Sequence, residues 1–251
     1  MRKRIPLIGC LKRNPSRNRF SIPNAVWTYK LKPVEFVLLS YLCCCHSRKS
    51  DRAGITAGAI ARTVHLTVTT VKKHLVFLKS AEIITEHNTL SPTFLSASEG
   101  NFFTLPNEIF LLKLPSSAFM AYAYLLLIED RRTHTCHPSY NTIAAATGIS
   151  KNTAMKSIGT LLEMGLIAVE PSSYFDKCGM KWKGNNLYTI LPTQRAVGAF
   201  YQQQLQELVF AAKSKCPRQQ KCGPKDNADG ALPQPSASGL GRPKGSAEGR
   251  F

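Results

Sequence analysis

The sequence predicts a mainly α-helical fold with small β-hairpins, built as two copies of one unit in tandem. Three observations predict this fold: a gapless internal repeat, two pairs of amphipathic helices at matching positions, and β-forming segments after the second pair. The chain has 251 residues and is 43% hydrophobic, which is enough for two small units that each bury a core.

Two short phrases reveal the repeat. The stretch RFSIPNAVWTYKL begins at Arg19, and the stretch FFTLPNEIFLLKL begins 83 residues later at Phe102. With this offset, residues 20–84 align with residues 103–167 without a gap, and 15 of the 65 aligned positions are identical. A gapless match of this length indicates an internal duplication, because unrelated segments rarely align so far without an insertion.

Each copy follows the same plan. A short extended segment comes first, and a Pro-Asn turn follows it, since Pro restricts φ and Asn bonds its own backbone. The next segment has apolar residues at helical spacing, at Phe36, Leu39 and Leu42 in the first copy. After a polar loop, two more helices are predicted to complete the unit.

The last two helices are clearest in the second copy. The segment SYNTIAAATG predicts a helix that ends at Gly148, and Ser150 is a suitable N-cap for the helix in KNTAMKSIGTLLEMGLI. The small Ala144, the turn glycine and an isoleucine in the second helix are typical of a helix-turn-helix, whose helices cross closely. The first copy repeats the pattern, with His65 in the place of the glycine and Thr67 as the N-cap.

A basic β-hairpin is predicted after the second helix pair. The segments LIAVE and NLYTIL are expected to pair as strands, with Lys177, Lys181 and Lys183 at the tip between them. A helix-turn-helix followed by such a hairpin is the winged-helix arrangement, and a plain surface hairpin is the alternative. In the first copy, IITEH and NFFTLP are expected to pair in the same way. The predicted fold class is therefore mainly α with small β-hairpin wings, as two tandem winged helix-turn-helix domains at 20–100 and 101–192.

The charge of the chain indicates a polyanionic partner. The sequence carries 33 Lys and Arg residues against 15 Asp and Glu residues, a formal net charge of +18. The second helix of the pair contains no acid from its N-cap to Lys79 in the first copy and to Leu162 in the second. Its exposed side offers hydrogen-bond donors that suit base edges and phosphates. A solvated polar helix face is the alternative interpretation. Together with the wing lysines, the predicted DNA-binding residues are Thr69, Thr70, Lys72, Lys73, His74, Lys151, Asn152, Thr153, Lys156 and Ser157.

The two ends of the chain are predicted to be basic disordered arms. Residues 1–19 contain seven basic residues and no acid, and residues 213–251 contain eight basic and three acidic residues among many Pro, Gly, Ser and Ala. Such arms add sequence-independent affinity for a phosphate backbone.

An amphipathic helix is predicted over 193–212, between the second domain and the C-terminal arm. Its apolar seam consists of Val197, Tyr201, Leu205, Leu208 and Ala212. This seam either packs on its own domain or forms a homodimer.

The sequence contains no pattern of catalysis, cofactor binding or metal binding. The run Cys43–His46 aligns with an apolar helical segment of the second copy, and neighbouring helical residues point in different directions, so core packing explains it better than a metal site. The most apolar run, Phe119–Ile128, is shorter than the roughly 20 residues that span a bilayer. We therefore expect a cytoplasmic protein that is not an enzyme, needs no cofactor and does not bind membranes.

The segments NFFTLPNEIF, HPSYNTIAAATGIS and KNTAMKSIGTLLEMGLI resemble the helix-turn-helix proteins of plasmids, phages and conjugative elements of Gram-positive bacteria. They are also similar to the N-terminal domain of the plasmid replication initiator A family. The resemblance implies binding of double-stranded DNA in the cytoplasm, with Lys151, Asn152, Thr153 and Lys156 at the interface. Transcription regulation on a mobile element is the favoured role, with transcription proteins as further partners. Replication initiation at origin repeats, with replication proteins as partners, is the alternative. A basic RNA-binding module is a more remote one, since the A-form major groove excludes a helix.

Overall fold

The computed structural model describes residues 18–47, 55–96, 101–175 and 177–214. The predicted arms at 1–19 and 213–251 lie outside these ranges except at their inner ends. The helices are α1 (Pro33–Ser47), α2 (Ala57–Val64), α3 (Val68–Ser80), α4 (Pro92–Ser96), α5 (Ser116–Ile128), α6 (Tyr140–Thr147), α7 (Lys151–Glu163) and α8 (Thr193–Ser214). The strands are β1 (Arg19–Pro23), β2 (Phe102–Pro106), β3 (Thr135–Cys136), β4 (Ile167–Glu170), β5 (Ser173–Phe175), β6 (Lys181–Lys183) and β7 (Leu187–Ile190).

The Pro-Asn phrase marks the same local structure in both copies. A strand ends at the proline, and a 3-10 helix follows over Asn24–Tyr29 and again over Asn107–Leu112. Each 3-10 helix ends at a lysine in the left-handed conformation, with φ of 47° at Lys30 and 51° at Lys113. The long first helix of the copy, α1 or α5, begins shortly afterwards.

Both helix-turn-helix pairs form, and their predicted caps are confirmed. In the second copy, α6 ends at Gly148 with φ 67°, and Ser150 Oγ accepts a hydrogen bond from the Thr153 N–H at 3.1 Å. In the first copy, His65 adopts the left-handed conformation, and Thr67 Oγ1 caps α3. Local sequence therefore sets both ends of both turns, even where histidine replaces glycine.

The wing of the second copy is confirmed. Strands β4 and β7 pair antiparallel, and β5 and β6 continue the hairpin toward its tip as a separate two-stranded ladder. The short β3 adds to the other side of β7, giving the order β3-β7-β4. Tyr188 in β7 is fully buried and holds this sheet against the helices.

The wing expected in the first copy is absent from the described residues. After α3, one isolated antiparallel bridge joins Ile84 to Leu90, and the short α4 follows. The segment NFFTLP pairs with β1, not with IITEH. Strand β2 buries Phe103 and Leu105, and β1 buries Phe20 and Ile22, so each strand supplies apolar faces that the other can cover.

The β1–β2 ladder relates the two copies by a pseudo-two-fold arrangement. Ser21 pairs with Thr104, which is its own equivalent under the offset of 83. Beyond the ladder, the Asn24 N–H donates to the Asn101 carbonyl and the Asn107 N–H donates to the Asn18 carbonyl, each at 2.9 Å. These two bonds exchange equivalent residues, which is the signature of an isologous interface between two like subunits.

Aromatic contacts in the core show the same exchange of equivalent residues between the two copies. The Phe36 and Phe119 rings, which are equivalents, lie 6.3 Å apart between α1 and α5. Trp27 meets Tyr124 edge-on at 5.7 Å, and the equivalent Phe110 meets Tyr41 edge-on at 5.6 Å. Residues up to Phe210 cluster as one compact unit with a continuous hydrophobic core. The copies therefore pack on each other as the halves of a dimer do.

Candidate nucleic-acid interface

The outer face of α7 presents polar and basic side chains, as the sequence predicts. Lys151, Asn152 and Lys156 are exposed, and Thr153 is half-buried with its hydroxyl bonded to Ser150 Oγ at 2.8 Å. The only acid within α7 is Glu163 at its last position. The first two turns of the helix therefore offer donors and no carboxylate to a polyanion.

Ser157 does not belong to this face, and its predicted exposure is wrong. Its side chain is only 2% exposed, and its Oγ has no hydrogen-bond partner among the described residues. The cause is helical spacing, because Ser157 lies three residues after the buried Ala154 and four before the buried Leu161. Helix α7 turns this side toward α5, so the serine cannot contact DNA.

Helix α3 presents the matching face of the first copy. Thr69, Lys72 and Lys73 are exposed, and Thr70 shares a hydrogen bond with the Thr67 hydroxyl at 2.8 Å. No acid occurs anywhere in α3. This helix thus keeps a basic polar surface at the positions equivalent to those of α7.

His74 is tied to the core and is not part of the exposed face. Its Nδ1 lies 3.1 Å from Glu35 Oε1 on α1, and the side chains of His74 and Glu35 are 18% and 3% exposed. Glu35 Oε2 accepts a second hydrogen bond from the Lys32 N–H at 2.8 Å. His74 is the equivalent of Ser157 in the first copy. Both positions face inward, so the predicted exposure of both side chains is wrong.

The second half of α3 exposes apolar side chains that the sequence analysis did not single out. Val76 and Phe77 are 66% and 44% exposed, where α7 has Gly159 and Thr160. The surfaces of the two second helices are therefore not identical. Helical spacing could have found this difference, because neither residue falls on the stripe of Val71, Leu75 and Leu78.

The wing lysines occupy the predicted hairpin. Lys177 is exposed at the turn, and Lys181 and Lys183 are the first and last residues of β6. The backbone therefore places three basic residues on the distal part of the hairpin, beyond the β4–β7 ladder.

Packing suppresses the chemistry of the buried cysteines. Cys43 and Cys44 are buried in α1, as the repeat predicts. Burial raises the pKa of the Cys43 thiol well above its usual value and raises the pKa of the Cys136 thiol to about 12. A protonated thiol is a poor nucleophile and a poor metal ligand. Over the described ranges, no group of three or more His, Cys, Asp or Glu could hold a metal ion. The helices described there also include none that is long and apolar enough to cross a membrane.

Comparison with known proteins supports the helix-turn-helix class that this fold and site define. Residues 112–167 match the family of the helix-turn-helix domain, a span that runs from the end of the second 3-10 helix through α7. The second copy thus contains a helix-turn-helix domain, which supports binding of double-stranded DNA.

No curated protein matches the chain. Among solved structures, the chain is similar to a protein titled "Possible transcriptional regulator from Methanosarcina mazei Go1". The two share 14% sequence identity over 45% of this chain and 90% of that one, with a TM-score of 0.31. That score is too low to carry an argument about fold or function.

Proposed function

We propose that this chain is a cytoplasmic, sequence-specific double-stranded DNA-binding protein that regulates transcription on a mobile element. The observation that carries the proposal is the acid-free face of α7, with exposed Lys151, Asn152 and Lys156, inside the segment that matches the helix-turn-helix family. Lysine and asparagine supply the donors that phosphates and base edges accept in the major groove. The mobile-element context rests on the resemblance of the quoted motifs.

We further propose that the two copies arose by duplication and that α3 and α7 act together as two recognition helices. The exchanged contacts of the β1–β2 ladder support this, because they relate the copies as the subunits of a two-fold dimer. A rigid two-fold body that contacts one duplex with both helices aligns with a dyad of the DNA, so its half-sites are inverted. Inverted half-sites favour the regulator over the alternative, an initiator that binds directly repeated origin sites.

Reversing the charge of one recognition-helix lysine tests DNA binding. We expect Lys156→Glu to weaken specific binding by about tenfold or more, because it removes a cationic contact and places a carboxylate against phosphate. Lys73→Glu changes the equivalent residue of α3 and is expected to weaken the same complex. Fluorescence anisotropy with the selected DNA target, at one fixed salt concentration, measures both effects.

Arg195→Glu is the matched control for charge. Arg195 is exposed near the start of α8 and belongs to neither α3 nor α7, and an acid in the first turn of a helix is tolerated. We expect this variant to lose much less affinity and all three variants to keep the circular dichroism of the folded chain. Equal losses from Lys156→Glu and Arg195→Glu would refute a specific role for α7. Equal binding of duplex RNA and duplex DNA would instead favour the RNA-binding alternative.

Association through α8 remains a proposal. The first half of α8 packs on the core through Ala196 and Val197, whereas its second half exposes Leu205, Leu208 and Phe210. Exposed apolar side chains along one helix favour contact with a second copy, and such a contact would bring four helix-turn-helix units together. We expect sedimentation velocity to show a dimer for the wild type and a monomer for Leu208→Glu. A monomeric wild type would remove this part of the proposal.

A further inference from the structure

A cavity of about 680 Å³ lies where the first copy meets the helix-turn-helix of the second. The 3-10 helix Asn24–Tyr29 forms one wall, α5 forms another, and the end of α6 with its turn forms the third. This volume falls in the range of small-molecule sites. Its apolar lining includes Val26, Leu31, Met120 and Leu127.

The lining is mostly apolar and carries a single charge. Lys30 is the only charged residue among the described residues that line the cavity, and none of them is a carboxylate. The site therefore combines one cation with mostly apolar walls, which suits an organic anion with an apolar body.

The pseudo-two-fold arrangement provides an internal comparison, because larger side chains fill the equivalent place in the other copy. His65 and Arg62 stand where the cavity has Gly148 and Ala145, and Thr63 stands where it has Ala146. There α2 contacts the 3-10 helix Asn107–Leu112. A Cβ added to Gly148 would meet no atom within 4 Å, so the space beside it is open. Three smaller residues therefore open this site in the second copy.

We propose that the cavity is a binding site for one small organic anion with a largely apolar body. The anionic group lies near the Lys30 ammonium group. The apolar body lies against Met120 and Leu127, next to the small Ala146. The asymmetry between the copies predicts one such site per chain.

The fluorescent anion 8-anilinonaphthalene-1-sulfonate is a suitable probe, because it joins a fused aromatic body to one sulfonate. We expect saturable binding to the full chain with one molecule per chain. Lys30→Gln should weaken binding by a few-fold, and added salt should remove that difference because Lys30 is exposed.

Filling the cavity provides the sharpest test. Ala146→Leu places three additional carbon atoms beside Leu127 and should abolish binding of the probe, whereas Asn141→Leu, an exposed position of α6 that does not line the cavity, should leave it unchanged. Both substitutions add the same side chain to the same helix, and circular dichroism checks that both variants fold. Failure of the wild type to bind one equivalent, or equal binding by Ala146→Leu, would overturn the proposal.

Occupation of the cavity is also expected to alter DNA binding, an expectation that rests on the proposed function. Thr147 and Gly148 line the cavity and lead directly into α7 through the turn. We expect a saturating probe to change the affinity for the selected DNA at least about fivefold in the wild type and not in Ala146→Leu. Saturable probe binding without this change would overturn the coupling alone. Absence of specific DNA binding without any probe would count against the proposed function.

Discussion

DNA binding is expected to weaken at least about 100-fold when one half-site of the preferred target is reversed. The reversal turns an inverted pair of half-sites into a direct repeat. The expectation follows from the ladder in which Ser21 faces Thr104 and from the shared core of Phe36 and Phe119. A rigid pseudo-two-fold body cannot present both recognition helices to half-sites that run in the same direction. The preferred target is first selected from random duplexes, and anisotropy at fixed salt then compares the two arrangements.

A duplex with a single half-site is the control for this comparison. If only one recognition helix engages the direct repeat, its affinity should equal that of the single half-site within about twofold. The inverted halves selected for the wild type are expected to differ in sequence, because α3 has Val68 and Lys72 where α7 has Lys151 and Met155. Equal affinity for inverted and direct arrangements would refute the two-fold account and would favour the replication alternative.

The substitution Phe36→Ala is expected to destabilise both copies together by about 3–5 kcal/mol, the usual cost of removing a buried phenylalanine. Phe36 is fully buried and contacts Trp27 in its own copy and Phe119 in the other. Because the copies share one core, loss of this ring should lower the denaturant midpoint of the whole compact unit. Urea unfolding followed by tryptophan fluorescence measures the change.

The chain has two tryptophans, and they report on the two copies separately. Trp27 lies in the first copy and Trp182 lies in the wing strand β6 of the second. With Trp182→Phe or Trp27→Phe as backgrounds, Phe36→Ala should shift both transitions by the same amount. Val76→Ala, at an exposed position of α3, should change the free energy of unfolding by less than about 0.5 kcal/mol. A shift confined to the Trp27 signal would mean that the copies unfold independently.

Prediction from sequence succeeded where the determining contacts are local. Ser150 and Thr67 cap helices by accepting a hydrogen bond from the backbone N–H three residues later. Gly148 and His65 end helices by adopting a positive φ. The wing of the second copy is likewise a hairpin between segments that are near each other in the chain. The faces of α3 and α7 were predicted correctly at Lys72, Lys73, Lys151, Asn152 and Lys156, which are all exposed.

Two failures involve contacts between distant parts of the chain. Strand β2 had two candidate partners of similar β-forming character, and only the packing of α1 on α5 brings it to β1. His74 carries a polar ring at an inward position, where it meets Glu35, 39 residues away. The burial of Ser157 is different, because its spacing from the buried Ala154 and Leu161 already places it on the inward side of α7.

Residue type and short-range spacing were enough to predict the repeat, the helix ends, the second wing and the acid-free outer faces of α3 and α7. Long-range packing determines that the described residues form no first wing, that the copies meet about a pseudo-two-fold arrangement, and that a cavity opens on one side of it. Those features arise from strand pairing and side-chain packing between segments far apart in the chain, where many arrangements share the same local preferences.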